Sequence, residues 1–186
     1  MKTLEIVGYN RTKLGANESK KLRSEGNVPC VMYGGKEVKH FYAPMILFRN
    51  LVYTPDVHKV ILNIEGSIHE CVMQDLQFHP VSEVLLHVDF LELTDKPIVM
   101  NIPIRFTGNS VGLQKGGRLA QKLRAVKVKA MPNDMPDVIE VDITTLDLGK
   151  TVRIADIPKG SYTVLNSPLT SIATIAIPRS LREQQG

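Results

Sequence analysis

"VLLHVDFLEL" (Val84–Leu93) is an apolar run with a histidine and an aspartate set two positions apart inside it. Strand side chains point to alternate faces, so Val84, Leu86, Val88 and Phe90 fall on one side, and Leu85, His87, Asp89 and Leu91 on the other. A strand with one clean apolar face has no packing reason to carry an imidazole and a carboxylate on the opposite face. Three readings compete: a metal or catalytic site, a structural hydrogen-bonded pair, or a surface that reads another molecule.

Working back from this run, the chain is strand-rich. "HKVILNIEGSIHECVMQDLQFHP" contains two alternating strands around Glu65-Gly66, a hairpin signal. "VPCVMYGG" reads as a strand reaching a tight Gly34-Gly35 turn, with "EVKHFYA" as its hairpin partner. "TLEIVGYN" is an opening strand. "NESKKLRSEG" predicts a short helix with Asn17 as N-cap and Gly26 as its stop, and "PMILFRNLVYTP" predicts a second helix with Pro44 near its first turn. Strands and helices do not alternate, which argues against a doubly wound nucleotide fold. The expected fold class is therefore mainly β (α+β). A small antiparallel β-barrel with two short helices occupies residues 1–93, and Val84–Leu93 is the last strand of that unit.

"TDKP" (Thr94–Pro97) marks the expected boundary. Residues 94–186 predict a second β-rich domain, a sandwich or open barrel, from the runs "IVMNIPIRF", "RAVKVKAM", "VIEVDI", "YTVL" and "TSIATIAIP". "RSLREQQG", from about residue 179, has no apolar stripe and reads as a frayed tail. There is no internal repeat and no Gly-rich phosphate loop. No apolar run approaches the roughly 18–20 residues that span a bilayer. "MKTLEIVGYN" lacks a signal peptide's apolar core, so the expected setting is the cytoplasm, with no membrane association.

The net charge of +4 is unevenly distributed. Residues 1–93 hold 10 Lys/Arg and 11 Asp/Glu, and residues 94–186 hold 13 and 8. Within the first half, Arg11, Lys13, Lys20, Lys21, Arg23, Lys36 and Lys39 outnumber Glu18, Glu25 and Glu37 between positions 11 and 40. A basic cluster on an otherwise balanced domain points to a localised anionic partner. Arg105, Lys115, Arg118, Lys122, Arg124, Lys127 and Lys129 follow without an acidic residue through position 133. Lys127 and Lys129 alternate with Val126, Val128 and Ala130, as on the wet face of a half-buried strand.

An enzyme would draw on His79, His87 and Asp89, with Asp75 or His69 in support, as metal ligands or acid–base groups. No third ligand stands at a diagnostic interval. Cys30 and Cys71 show no CxxC spacing and lie in apolar strand patterns, where cysteine is an inert core residue. Neither an enzymatic activity nor a cofactor or metal is expected. In the third reading, basic side chains near residues 11–23 neutralise phosphates. Asp89 accepts from a base amino group or ribose 2′-OH, or orients a neighbouring His or Arg. Tyr33 supplies stacking or a hydroxyl contact.

Taken together, "SKKLRSEGNVPCVMYGGKE", "QDLQFHP" and "HVDFLEL" resemble, in order and spacing, the bacterial large-subunit ribosomal protein family that binds 5S rRNA (ribosomal protein L twenty-five). The second half resembles the extra domain of the family's long form, the general stress protein Ctc type. The resemblance implies a structural constituent of the large ribosomal subunit that docks on the loop E region of 5S rRNA. It also implies contacts with neighbouring rRNA and proteins; off the ribosome, a monomer is expected. The family's basic helical element matches Ser19, Lys20, Lys21 and Arg23, and the loop before it corresponds to Arg11 and Lys13. The tyrosine of its "YGG" turn is Tyr33, and the pair of its "HxDF" strand is His87 and Asp89. Two departures stand out. Lys20 and Lys21 replace arginines and lose their bidentate fork, and Phe78 stands where a basic residue is usual. "GANES" also brings Asn17 and Glu18 into a loop that is commonly rich in Lys and Ser. The alternative is a stress-associated protein whose barrel binds tRNA or other structured RNA, or which binds proteins.

Overall fold

The computed structural model describes residues 2–54, 56–158 and 160–178; the expected tail from about 179 lies outside them. The chain divides into two units, residues 1–96 and 97–186. In the first, β1 (Lys2–Asn10), β2 (Asn27–Tyr33), β3 (Lys39–Pro44), β4 (His58–Ile64), β5 (Ser67–Phe78) and β6 (Leu85–Glu92) close into a barrel in the order β1-β3-β2-β6-β5-β4. Antiparallel pairing holds at four joints, two of them the predicted β2–β3 and β4–β5 hairpins, while β1–β4 and β2–β6 run parallel. Closure leaves no open edge. The β4–β5 turn has Glu65 at φ 48 and Gly66 at φ 91, the two positive values a tight hairpin of the primed type requires.

The barrel is filled by aromatic and branched side chains. Phe41 and Phe90 lie 5.9 Å apart between ring centroids, and Phe48 and Phe90 6.3 Å. Ile6, Val28, Val60, Leu62 and Val88 pack around them. Gly8 in β1 has no side chain because a Cβ there would stand 2.6 Å from the Phe41 ring.

The two helices differ from the sequence reading. Helix α1 (Ala16–Ser24) begins beyond Gly15, so Asn17 lies inside it and does not cap it. Leu22 is its buried anchor. "PMILFRNLVYTP" is not one helix: Pro44 ends β3, Met45–Phe48 form a 3-10 turn, and α2 (Arg49–Val52) adds a single α-turn. Phe48 and Leu51 are both buried in the barrel core, and such short helical pieces hold only through that packing.

Strand β6 departs from strict alternation. Leu85 is 5% exposed and Val84 38%, the reverse of the expected assignment. Gln77 pairs with His87 but Phe78 with Leu85, so Leu86 is an extra residue and forms a β-bulge. A second irregularity lies in β5: Met73 pairs with Phe90 and Asp75 with Asp89, which makes Gln74 the extra residue. Beyond it Asp75 and Gln77 share the outer face with Asp89 and His87, while Leu76 packs on the core.

The second unit holds β7 (Ile98–Thr107), α3 (Val111–Gln114), β8 (Arg118–Gln121), β9 (Ala125–Ala130), β10 (Ile139–Asp142), β11 (Thr151–Arg153), β12 (Thr163–Val164) and β13 (Ser171–Ala176). They form a four-stranded sheet, β10-β7-β9-β12, and a three-stranded one, β11-β13-β8. The five predicted runs all form strands. β8 and β11 carry too few alternating apolar residues to announce themselves. Lys127 and Lys129 are exposed between buried Val126, Val128 and Ala130, as the alternation predicts.

Phe90→Ala is expected to lower the unfolding free energy by about 3–5 kcal/mol in a urea titration, because the ring contacts two other buried aromatics. Val81→Ala, at a position 85% exposed, should change it by less than ~0.5 kcal/mol.

Candidate nucleic-acid interface

Register brings three neighbouring strands to one polar outer face. Val31 of β2 pairs with Asp89 of β6, and Tyr33 with Leu91. On the other flank Asp75 and Gln77 of β5 pair with Asp89 and His87. Tyr33, His87, Asp89, Asp75 and Gln77 therefore come together, although more than fifty residues separate Tyr33 from His87 in the chain. His87 Nδ1 lies 2.7 Å from Asp89 Oδ1, with both side chains about one-quarter exposed. A carboxylate only accepts, so Nδ1 carries a proton towards Asp89, and in the neutral ring Nε2 is the acceptor. Burial raises the pKa of the Tyr33 phenol, and the charges of Asp89 and Asp75 raise it further. Tyr33 is thus a neutral hydroxyl at neutral pH and can donate.

Helix α1 flanks this face and is fixed by two arginines. Arg23 Nε donates to the Leu86 carbonyl at 3.0 Å. Leu86 is the extra residue of the β6 bulge, so Arg23 takes an acceptor that the ladder leaves unpaired. Arg11 Nη2 donates to Ser19 Oγ at 3.0 Å, and Ser19 Oγ donates to the Gly15 carbonyl at 2.9 Å. The Arg11 backbone N–H donates to the His40 carbonyl of β3. Arg11 Nε is buried and has no hydrogen-bond partner. Arg11, Ser19 and Arg23 are thus half-buried and engaged, whereas Lys13, Lys20 and Lys21 are exposed.

The sequence reading set Asp75 beside His87 and Asp89 only as a metal or acid–base candidate, and it did not single out Gln77. Strict alternation along β5 gives no sign that both face outward beside His87; the bulge at Gln74 is what turns them. It also missed the Leu86 carbonyl. The other residues weighed for catalysis go elsewhere. His79 Nδ1 accepts from the N–H groups of Val81 and Ser82, and His69 bonds Glu92 and Lys39. Cys30 and Cys71 are buried free thiols. Burial pushes the Cys30 thiol far up and the Cys71 thiol up to about 12, so neither presents a thiolate at neutral pH. Among the described residues no group of three His, Cys, Asp or Glu side chains is placed to hold a metal, and no helix is long and apolar enough to cross a membrane.

Residues 6–90 match the model of the Ribosomal L25p family, and residues 97–179 that of the C-terminal domain of ribosomal protein TL5. The chain is 51% identical over 186 residues to the large ribosomal subunit protein bL25 of Cytophaga hutchinsonii, covering 100% of this chain and 97% of that one. It is 50% identical to the bL25 of Amoebophilus asiaticus, covering 98% and 93%. The bL25 of Phocaeicola vulgatus is 40% identical, covering 98% and 96%. The chain belongs to the bL25 family of large ribosomal subunit proteins. Its two family matches lie one in each structural unit, and the polar outer face falls within the L25p match.

Asp89→Asn is expected to release the His87 tautomer. In the parent protein, well above the ordinary imidazole titration range, ring ¹⁵N shifts should report a protonated Nδ1. In the variant a mixture of tautomers should appear, with the melting temperature lowered by a few degrees at most.

Proposed function

We propose that this chain is a structural, non-catalytic constituent of the large ribosomal subunit and binds 5S rRNA, at its loop E region, through the outer face of β2–β6–β5 and helix α1. The observation that carries this reading is the split in that surface. Its centre holds hydrogen-bonding groups with two carboxylates, and its edge holds exposed ammonium groups. Carboxylates repel phosphates, so the centre faces a groove and the edge faces the backbone. A-form RNA offers a wide, shallow minor groove lined with 2′-hydroxyls and base edges, and such a face fits it.

Lys13, Lys20 and Lys21 neutralise phosphates as mobile point charges. His87 Nε2 accepts from a 2′-OH or a base amino group, because Asp89 already holds the proton of Nδ1. Tyr33 donates its hydroxyl, and the second Asp89 oxygen accepts. Arg23 keeps α1 at the edge of the face, and its terminal amines are the strongest donors there. Arg11 and Ser19 act together, shaping the loop that presents Lys13. The second unit supports a further contact with neighbouring rRNA or proteins: Lys127 and Lys129 stand on one exposed face of its four-stranded sheet, with Asn101 of β7 and Thr163 of β12 beside them in register.

Arg23→Ala and His87→Ala should each weaken 5S rRNA binding about tenfold or more, as expected for losing a charge-assisted or well-oriented hydrogen bond. Both should retain a native thermal melt, and unchanged affinity in either would remove that residue from the site. Binding should prefer 5S rRNA to an equal-length control RNA at every salt concentration tested, since contacts to phosphate alone fade together as salt rises. Equal binding to both RNAs would favour a general structured-RNA role. The double variant Lys127→Gln/Lys129→Gln should leave isolated 5S rRNA affinity unchanged and lower occupancy on assembled large subunits.

A further inference from the structure

At the mouth of the barrel, just past the Tyr33 end of the outer face, three polar side chains from three strands form a chain. Lys39 Nζ lies 2.9 Å from His69 Nε2, and His69 Nδ1 lies 2.7 Å from Glu92 Oε1. All three belong to positions paired with core residues: Lys39 with Met32, His69 with Leu62, and Glu92 with Cys71. They therefore sit above the interior and not on the sheet's outside. An ammonium group has only protons to offer, so Nε2 accepts from Lys39 and Nδ1 carries the ring proton to Glu92.

The order of the chain has an electrostatic consequence. A neutral imidazole separates the ammonium from the carboxylate, so Lys39 is anchored without a carboxylate bonded to it. Two of its three N–H donors remain for something else. The Glu92 carboxylate is turned towards His69 and packed over the loop backbone, since a Cβ on Gly35 would coincide with its Oε2. Beside this chain lies an open groove of about 600 Å³, lined also by exposed Lys36 and Lys96. Exposed Glu37 and the His69-bonded Glu92 are the opposing charges on its wall. Barrel mouths are recurrent ligand sites, and this one presents three ammonium groups beside the Gly34-Gly35 turn, on which Leu91 and the Glu92 carboxylate pack.

We propose that the mouth of the barrel is an anion site that takes a phosphate group, with Lys39 as the fixed donor and Lys36 and Lys96 closing over it. The site borders the RNA face at Tyr33, but its binding of phosphate does not depend on that reading. The phosphate is either one of an RNA backbone or that of a small phosphate-bearing ligand.

The test uses the full chain, isotopically labelled, with inorganic phosphate as probe and chloride exchanged so that ionic strength stays fixed. The ring nitrogens of His69 and the Lys39 side chain should shift along a saturating curve in the millimolar range. Lys36→Gln and Lys96→Gln, at exposed positions that the fold tolerates, should each weaken the curve several-fold, and Lys39→Met should abolish it. A titration that never saturates, or one indifferent to all three variants, overturns the site. Repeating it with 5S rRNA bound separates the sources. Loss of the phosphate response, with a salt slope for RNA binding reduced by about one in Lys39→Met, assigns the site to an RNA phosphate. An unchanged response assigns it to a free ligand. Failure of 5S rRNA binding would leave the phosphate curve of the free protein intact and would count only against the RNA face.

Discussion

In β6 one residue too many, Leu86, pushes a carbonyl out of the ladder with β5, and the guanidinium of Arg23 takes it. The polar surface depends on this contact. Without the bulge the carbonyl would be paired in the sheet, and Arg23 would have no anchor on the barrel. The helix that carries Lys20 and Lys21 has nine residues, too few to hold its shape in water alone. Its place comes from Leu22 beneath it, Arg23 at one end and the Arg11–Ser19 link near the other. A basic element at the edge of the face is therefore a tertiary construction.

The β5 bulge at Gln74 does complementary work. It keeps Met73 against the core and turns Asp75 and Gln77 outward, so the hydrogen-bonding strip is three strands wide. Concentrating Asp75 and Asp89 there lowers the local potential, while the lysines raise it along the helix. A ligand with phosphates at a fixed distance from groove hydroxyls matches that separation better than a uniformly anionic surface does. Burial first, and then the same carboxylates, raise the pKa of the Tyr33 phenol, and Asp89 accepts the Nδ1 proton of His87, so the surroundings shape what these groups can donate or accept.

The barrel carries polarity at two places for two physical reasons. On the outer face polar groups meet solvent at no cost to the core. At the mouth, Lys39, His69 and Glu92 stand over buried Met32 and Cys71 and must satisfy one another. Their chain holds an ammonium group in a defined position. In the second unit the polar groups return to simple alternation, with lysines outward and valines inward along β9.

Much of this was legible from the residues alone. Period-two patterning marked the barrel strands, Glu65-Gly66 marked a hairpin, and residues 11–23 marked a concentration of basic side chains. These are local properties, carried by a few neighbouring residues. The motifs "SKKLRSEGNVPCVMYGGKE", "QDLQFHP" and "HVDFLEL" pointed to the family whose models and relatives the chain matches. The sequence could not reveal the bulges, the outward turn of Asp75 and Gln77, the inward turn of Leu85, the short 3-10 entry to α2, or the chain at the barrel mouth. Each depends on the register between strands distant in the chain, and register is set by how the whole barrel closes around Phe41, Phe48 and Phe90. The sequence by itself determined which residues prefer a strand and where the charge lies; only the closed barrel decided which of them face the same partner.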